Sequence, residues 1–429
     1  MPRLIVVALS GGLILLIGCG GSSGGNNNGG GGPNGIALIV DSGPAGTGFT
    51  SVNTAFVTVT VCASGTANCQ DIDHVIVDTG STGLRILKQG TAALTLPLNQ
   101  VNAAGGPLVE CAQFVSFFTW GPVMTADVKM AGETASNVPV QVIGEANTGF
   151  PNIPPACANS VPQGPFCSSP PCSADTLQTL GANGILGLSF FLQDCGQGCV
   201  NSSSSGFYYS CPTASTCVQT TATLGQQPSN PVGMFATDNN GLSIQFPAIG
   251  NSGQATLTGT MTFGIGTQSN NGLGNATVFV PDQFGNFTAT CTNVAAACNG
   301  NSYPGSFIDS GSTGNFFLTS ALTGFPDCGG NNAGLYCPPA LTNLVATNKG
   351  AGNNASKAVN FAAANANQLS GANSAFNDLT GSNPSCFVSP GTMAPCFDWG
   401  LPFFMGRTVF VGLEQRNISG AGTGPIWAY

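Results

Sequence analysis

Charged side chains are scarce in this chain of 429 residues. Only 6% of its residues are charged, and 8 Lys and Arg face 17 Asp and Glu, which gives a net charge of −9. Proteins that bind nucleic acids neutralise phosphates with clustered Lys and Arg. The charge balance therefore excludes a nucleic-acid-binding protein.

Histidine is nearly absent, since His74 is the only one, and no Cys-x-x-Cys pair occurs. Zinc sites are usually built from such pairs or from His-bearing clusters, so we expect no metal and no cofactor. A Ser-His or Cys-His mechanism would have to use His74. No Gly-x-Ser-x-Gly elbow between a strand and a helix accompanies it, which disfavours this chemistry.

Long apolar runs are also missing, apart from residues 4–17, which follow Arg3. That run is shorter than the ~20 residues of a membrane-spanning helix, although a membrane anchor is the alternative interpretation. The run ends in Leu-Ile-Gly-Cys at residues 16–19, which resembles a bacterial lipoprotein signal. We interpret residues 1–18 as a signal peptide of the lipoprotein type and Cys19 as the lipidated residue.

Residues 19–35 are nearly all Gly, Asn and Ser, a composition that cannot bury a core and predicts a flexible tether. Gly20 follows Cys19 where an Asp would indicate retention at the inner membrane. The resemblance therefore implies a protein anchored by lipid in the bacterial cell envelope, at the outer membrane.

Cysteine, by contrast, is abundant. The chain has 17, and without Cys19 there remain 16, enough for eight disulfides in an oxidising compartment. Proximity in the sequence predicts the pairs Cys62–Cys69, Cys195–Cys199, Cys211–Cys217, Cys291–Cys298, Cys328–Cys337 and Cys386–Cys396. It leaves Cys111, Cys157, Cys167 and Cys172 without an evident partner.

The remaining composition predicts a mostly β protein with long loops. The chain holds 62 Gly and 28 Pro, and its apolar residues come in short runs rich in Val, Thr and Phe. Residues 346–385, rich in Asn, Ala and Gly, are interpreted as an insertion that buries little.

One short pattern occurs twice. Residues 75–83 read Val-Ile-Val-Asp-Thr-Gly-Ser-Thr-Gly, and residues 306–314 read Ser-Phe-Ile-Asp-Ser-Gly-Ser-Thr-Gly. Each copy predicts a buried strand that delivers a carboxylate, Asp78 or Asp309, into a tight loop. The supporting residues of the loops are Thr79, Gly80, Ser81, Ser310, Gly311 and Ser312. Two carboxylates brought face to face cannot both ionise, so one is an acid while the other is a base.

This pair of loops resembles the pepsin-like aspartic peptidases. Each lobe of that family carries a hydrophobic-hydrophobic-Gly element beneath its aspartate loop, and residues 183–188 and 403–410 resemble the two elements. The resemblance implies a two-lobed acid-protease fold with a central cleft, with lobes at residues 36–260 and 261–429. It also implies a monomer that acts on a peptide or protein substrate.

The family closes its cleft with a flap hairpin that has a Tyr-Gly tip, and residues 114–143 are typical of such a hairpin and its return. Trp120 and Gly121 are the predicted tip, although an aromatic core residue is the alternative for Trp120. A Trp of the first aspartate loop usually bonds the flap Tyr, and here Arg85 takes its place. Both partners of that contact thus differ from the family pattern.

Two functions follow from the sequence. The first is an aspartic endopeptidase that activates water between Asp78 and Asp309. The alternative is a non-catalytic, lipid-anchored protein that keeps the fold and binds peptides or has a structural role. Because only the enzyme has a chemical need for both carboxylates, the intact pair of loops favours the peptidase.

Anchoring and redox state can be tested together. We expect Cys19→Ser to release the protein from membranes, because the lipid would be lost. Thiol titration of the unfolded, unreduced mature protein should detect almost no free thiol. Several reactive thiols would contradict the oxidised compartment and reopen metal binding.

Overall fold

The computed structural model describes residues 32–144, 149–161, 167, 171–291, 301–382, 386–389 and 392–429. The predicted signal peptide, Cys19 and most of the tether lie outside these residues. The first strand begins at Gly35. Within the described parts of the chain, no helix is both long and apolar enough to cross a bilayer.

The fold is mostly β, as predicted, and its largest sheet has 17 strands. These are β1 (Gly35–Val40), β2 (Ala55–Ala63), β3 (Cys69–Asp78), β4 (Thr82–Leu87), β5 (Asn99–Gln100), β6 (Asn102–Ala103), β7 (Gly106–Gln113), β8 (Phe118–Met130), β9 (Glu133–Ile143), β10 (Gly184–Leu188), β11 (Tyr208–Thr213), β12 (Thr216–Gln219), β13 (Gly241–Gln245), β14 (Leu257–Phe263), β15 (Val278–Phe279), β25 (Thr408–Gly412) and β28 (Ile426–Ala428).

A second sheet has seven strands: β16 (Phe287–Cys291), β17 (Ser302–Ile308), β18 (Asn315–Phe317), β19 (Thr342–Lys349), β20 (Ser356–Ala363), β21 (Thr380–Gly381) and β24 (Phe397–Trp399). Two short pairs complete the strands, β22 (Cys386–Ser389) with β23 (Thr392–Ala394) and β26 (Asn417–Ile418) with β27 (Gly422–Thr423).

Helices are short. The α-helices are α1 (Pro155–Ala158), α2 (Leu177–Leu180), α3 (Gln197–Asn201), α4 (Ser320–Thr323) and α5 (Leu401–Phe404), and the 3₁₀ turns are Leu224–Gln226, Pro231–Met234, Gly330–Asn332 and Ala366–Gln368.

Strands from both ends of the chain join the two halves. β1 pairs with β14, β14 with β13, β13 with β25, β25 with β28 and β28 with β15, and every pairing is antiparallel. The lobe boundary predicted near residue 260 therefore falls inside β14, a strand of this connecting layer. Because the strands are shared, the two halves are tied by backbone hydrogen bonds and not only by side-chain contacts.

Each aspartate loop is part of a repeated three-strand unit. In the first half, β10 lies between β3, to which it is parallel, and β4, to which it is antiparallel. In the second half, β24 has the same relation to β17 and β18. The two units place Asp78 and Asp309 at equivalent strand ends.

The second hydrophobic-hydrophobic-Gly element is not where the sequence predicts it. Residues 183–188 do supply β10, but residues 403–410 form the end of α5 and the start of β25. The strand beneath the second aspartate loop is β24, which is followed by Gly400. The pattern was obscured because Asp398 interrupts its apolar run.

The structure describes seven disulfides. Five of the predicted pairs are confirmed: Cys62–Cys69, Cys195–Cys199, Cys211–Cys217, Cys328–Cys337 and Cys386–Cys396. The four unassigned cysteines form Cys111–Cys157 and Cys167–Cys172. The pair Cys291–Cys298 cannot be compared, because residue 298 lies outside the described residues.

Residues 346–385 contribute more to the fold than an insertion would. Part of this stretch forms β20, which pairs with β19 over eight residues. Val359 is fully buried in the main core. Alternation of small and polar residues can therefore form a strand of the second sheet even where large apolar residues are few.

Gly400 gives a test of the packing beneath the second loop. A Cβ there would lie 2.6 Å from the carbonyl oxygen of Ser312 and closer still to that of Gly314. We expect Gly400→Ala to lower the free energy of unfolding by about 2–3 kcal/mol, because the backbone must shift. Chemical denaturation measures this. Gly371→Ala, where a Cβ meets open space, is the matched control, and an equal loss in both variants would contradict the packing argument.

Candidate active site

The two aspartate loops meet with their carboxylates buried. Asp78 ends β3 and Asp309 follows β17 directly, and neither side chain is exposed to solvent. The Gly80 amide donates a hydrogen bond of 2.8 Å to Asp78 Oδ1, and the Gly311 amide donates one of the same length to Asp309 Oδ1. Each loop thus orients its own carboxylate with its own backbone.

Serine hydroxyls hold the second oxygen of each carboxylate. Ser81 donates to Asp78 Oδ2, and Ser312 donates to Asp309 Oδ2 at 3.0 Å. Both loops therefore use the residue three positions after the Asp for the same purpose.

Thr79 and Ser310 cross-link the loops. The Thr79 amide donates to Ser310 Oγ at 3.1 Å, and the Ser310 amide donates to Thr79 Oγ1 at 2.9 Å. Each hydroxyl also donates across the interface, from Thr79 to Ile308 O at 3.3 Å and from Ser310 to Val77 O at 2.7 Å. The exchange is reciprocal, so it fixes the two loops as one unit with a pseudo-twofold arrangement.

The glycines of the loops let the carboxylates approach. A Cβ on Gly80 would lie 2.7 Å from Asp309 Oδ1, and one on Gly311 would lie 2.7 Å from Asp78 Oδ1. Each carboxylate therefore rests against the backbone of the opposite loop, where only Gly leaves room.

Burial raises the pKa of Asp78 well above its ordinary value, and the negative charge of Asp309 raises it further. The hydrogen bonds from Ser81 and Gly80 oppose this by favouring the charged form. The balance favours one proton on the pair, as expected for neighbouring carboxylates that cannot both be charged.

A cavity of about 330 Å³ lies beside the first loop. Its lining mixes aromatic and amide side chains: Phe114, Phe191, Phe207, Phe284, Gln113, Gln193, Gln197, Gln283 and Gln415. Gly80 and Ser81, which hydrogen-bond Asp78, line it too, so the cavity reaches the first aspartate loop. Arg85, Asp194 and Glu414 also line it, so the cavity offers apolar, amide and charged groups together.

The hairpin β7–β8 stands over this cavity, but its turn differs from the predicted flap tip. The turn is at residues 114–117, where the Phe114 amide donates to Phe117 O at 2.8 Å. Phe114 is therefore the tip residue that lines the cavity. The prediction of Trp120 and Gly121 as the tip is wrong in position by several residues.

Trp120 is a core residue within β8. It is fully buried, its Nε1 donates to Phe150 O at 2.8 Å, and its ring packs edge-on against Tyr209 at 5.3 Å. Gly121 is required by packing, because a Cβ there would overlap the backbone of Val142 in β9. The alternative interpretation of Trp120 is thus the one the structure shows.

Arg85 is the centre of a buried ion cluster between β4 and the hairpin. Its Nη2 lies 2.7 Å from Glu110 Oε1 and 3.1 Å from Asp194 Oδ2, and Nη1 donates to Thr82 O at 2.7 Å. Tyr208 donates to Asp194 Oδ1 at 2.5 Å. Burial opposes the charge of Arg85, but the two carboxylates raise the pKa of its guanidinium above the ordinary value.

This cluster also supports the hairpin tip. The Arg85 guanidinium lies 5.6 Å from the centre of the Phe114 ring. Glu110 belongs to β7 of the hairpin, and the Thr82 carbonyl belongs to the strand that follows the first loop. The ring that Arg85 contacts is thus Phe114, and the cluster connects the tip to the aspartate loop.

His74 lies on β3 and is not among the residues that line the cavity. Its Nδ1 is 2.7 Å from Asp73 and its Nε2 is 3.4 Å from Asp41. The hydrogen bond to Asp41 and the contact with Asp73 raise the pKa of His74, although burial opposes this. Both partners of His74 are therefore carboxylates that do not belong to the candidate site.

Sequence reasoning missed Glu110, Asp194, Tyr208 and Asp398. The first three lie far apart in the chain and lack any motif, so only the fold brings them to Arg85. Asp398 could have been found, since an isolated Asp between Phe397 and Trp399 is unusual for a buried strand.

The chain belongs to the family described as "Protein of unknown function (DUF3443)", whose match covers residues 31–429. A search of curated proteins found no significant match. Among solved structures, the chain is similar to the aspartic proteinase from Irpex lacteus, with 16% sequence identity and a TM-score of 0.49. That similarity covers 92% of this chain and 97% of the other.

The buried ion cluster predicts that replacing Arg85 strongly lowers the stability of the protein. We expect Arg85→Met to lower the free energy of unfolding by about 3–5 kcal/mol at neutral pH, because Glu110 and Asp194 lose their buried counter-charge. Denaturant unfolding measures the change.

Adding Glu110→Gln and Asp194→Asn should recover much of this loss by removing the stranded charges. Arg407→Met is the matched control, because Arg407 binds backbone carbonyls at Phe403 and Asn360. A loss in Arg85→Met no larger than in this control would contradict a buried ion cluster.

Proposed function

We propose that this protein is an aspartic endopeptidase that hydrolyses peptide bonds with water activated between Asp78 and Asp309. The observation that carries the proposal is the geometry of the two loops. Two buried carboxylates, fixed by equivalent hydrogen bonds and by the reciprocal Thr79–Ser310 contacts, share a site that favours one proton.

In this proposal the ionised carboxyl takes a proton from water while the protonated one donates to the scissile carbonyl oxygen. The oxygen of the water bonds to the carbonyl carbon, which gives a tetrahedral diol. A proton then passes to the amide nitrogen and the C–N bond breaks, which yields a carboxylic acid and an amine. The dyad returns to its starting proton count, so no further reactant is required.

The remaining residues of the site would bind and orient the peptide. Phe114 and the amide side chains of the cavity offer apolar surface and hydrogen bonds beside Asp78. The Arg85 cluster would keep the hairpin tip in place and thereby reduce the ordering cost of binding. Thr79, Gly80, Ser81, Ser310, Gly311 and Ser312 would hold the dyad.

The proposal extends to the setting of the enzyme. Its disulfides fit an oxidising compartment. Together with the lipoprotein-type signal, they support a protein anchored by lipid in the bacterial cell envelope. We further propose that it acts there as a monomer on peptide or protein substrates.

The test replaces each carboxylate by an amide. Asp78→Asn and Asp309→Asn should each lose nearly all cleavage of an unfolded protein, and the double variant should lose little more, because the pair acts as a unit. Wild-type rates should fall at high pH, when the last proton of the dyad leaves, and at low pH, when the ionised carboxyl is protonated. Peptidase assays with a transition-state peptide inhibitor measure both effects.

Measuring the stability of the variants distinguishes loss of the catalytic carboxyl from misfolding. Because the pKa of Asp78 is raised, its contribution to stability is fully present below its unfolded value of 3.8 and is lost as pH rises through the folded value. Asp78→Asn should therefore be at least as stable as wild type at neutral pH. Asp327→Asn, on the surface, is the activity control. Wild-type protein that cleaves nothing between mildly acidic and neutral pH would instead favour a non-catalytic peptide-binding protein.

A further inference from the structure

The cavity beside the first aspartate loop contains a carboxylate that belongs to no ion pair among the described residues. Three of the side chains that line the cavity are charged: Arg85, Asp194 and Glu414. Arg85 lies 2.7 Å from Glu110 and 3.1 Å from Asp194, so its charge is compensated within the buried cluster. Glu414 takes no part in that cluster and is the third charge of the wall.

The charge of the cavity is negative whether or not Asp194 holds a proton. Burial raises the pKa of Asp194, and Glu110 raises it further, which favours a proton on that carboxyl. Arg85 stays charged, because a guanidinium is not deprotonated in proteins, and Glu110 alone then balances it. Glu414 is therefore the negative charge that remains.

Glu414 is held in place while one of its oxygens stays available. Its amide donates to Phe190 O at 2.9 Å, and its Oε1 accepts a hydrogen bond of 3.0 Å from the Leu192 amide. Its Oε2 has no hydrogen-bond partner among the described residues. Arg416, two positions further on, donates to Gly233 O at 2.7 Å instead. Glu414 is only partly buried, so water solvates its charge in the absence of a ligand.

The aromatic part of the wall suits the stem of a long basic side chain. Phe191 and Phe284 are partly exposed and line the cavity together with Glu414. Aromatic rings pack against the methylene groups of Lys and Arg, and their faces attract a cation. The cavity volume of about 330 Å³ is near the lower end of the ~300–1,000 Å³ of ligand pockets, which fits a single long side chain.

We propose that the cavity is a specificity pocket for a basic side chain of the substrate, Lys or Arg, and that Glu414 binds its positive charge. The inference rests on the proposed peptidase function and adds the substrate class. Gly80 and Ser81 line the same cavity, so a side chain bound there belongs to a residue near the bond that the dyad would cleave. Glu414 thus selects the substrate, while the chemistry remains with Asp78 and Asp309.

The experiment compares kcat/KM for peptides that differ in one residue. A peptide that wild type cleaves, acetylated and amidated at its ends, is made with Lys or norleucine at each position in turn around the scissile bond. The blocked ends exclude the terminal amino group as the cation. At one position Lys should be preferred roughly tenfold, as expected for one hydrogen bond between charged groups.

Glu414→Gln should abolish this preference and leave cleavage of the norleucine peptide unchanged. The Gln carbonyl oxygen still accepts the hydrogen bond of the Leu192 amide, so the variant loses the charge and keeps the local structure. Glu414→Lys should instead favour the same peptide with Glu at that position.

Asp327→Asn is the matched control, because it removes an exposed carboxylate outside the cavity. It should keep the preference for Lys. An equal loss of the preference in Glu414→Gln and Asp327→Asn would show that net charge attracts the peptide, and it would overturn the pocket.

Binding without cleavage keeps the two proposals separate. Calorimetric titration of Asp309→Asn should show tighter binding of the Lys peptide than of the norleucine peptide, and adding Glu414→Gln should remove the difference. Such a binding preference in a protein whose wild type cleaves no peptide would support the pocket and contradict the proposed function. Active enzyme that treats both peptides alike, or that keeps its preference in Glu414→Gln, would contradict the pocket alone.

Discussion

The structure depends on holding two fully buried carboxylates, Asp78 and Asp309, close together. Two negative charges in that environment repel strongly, so the site is stable only when a proton is shared and when donors surround the oxygens. The amides of Gly80 and Gly311 and the hydroxyls of Ser81 and Ser312 supply these donors. Because the donors come from two loops, the halves must stay in register, and the shared antiparallel strands provide that register.

The sequence predicted those features that depend only on residues close together in the chain. Asp78 and Asp309 lie at the predicted strand ends, and most disulfides join cysteines close in the chain. Features that depend on distant contacts were not predictable. The pair Cys111–Cys157 spans 46 residues, and its partners meet only because β7 and α1 pack together.

The hairpin shows why a tip is harder to place than a strand. Residues 114–122 contain four large aromatics and a Gly-Pro step, so the turn could have fallen at either end. The register of β7 and β8 fixes the position of the turn. Cys111 lies opposite Trp120 in that register, and Trp120 packs beside Tyr209. Because Trp120 is buried in the core, Phe114 is the aromatic residue at the tip, where its ring lies over Arg85.

Charge is scarce in this chain, yet several of its charged groups lie buried around one cavity and one dyad. Arg85 with Glu110 and Asp194 forms a cluster in which the cation is outnumbered, and burial together with Glu110 raises the pKa of Asp194. Asp398 adds another buried acid, which Ser312 contacts at 2.7 Å. Burial of such groups costs stability, because each must lose water and find a partner. Apolar residues there would avoid this cost, so stability alone does not account for the buried acids, and their charges are the part of the site on which the proposed function depends.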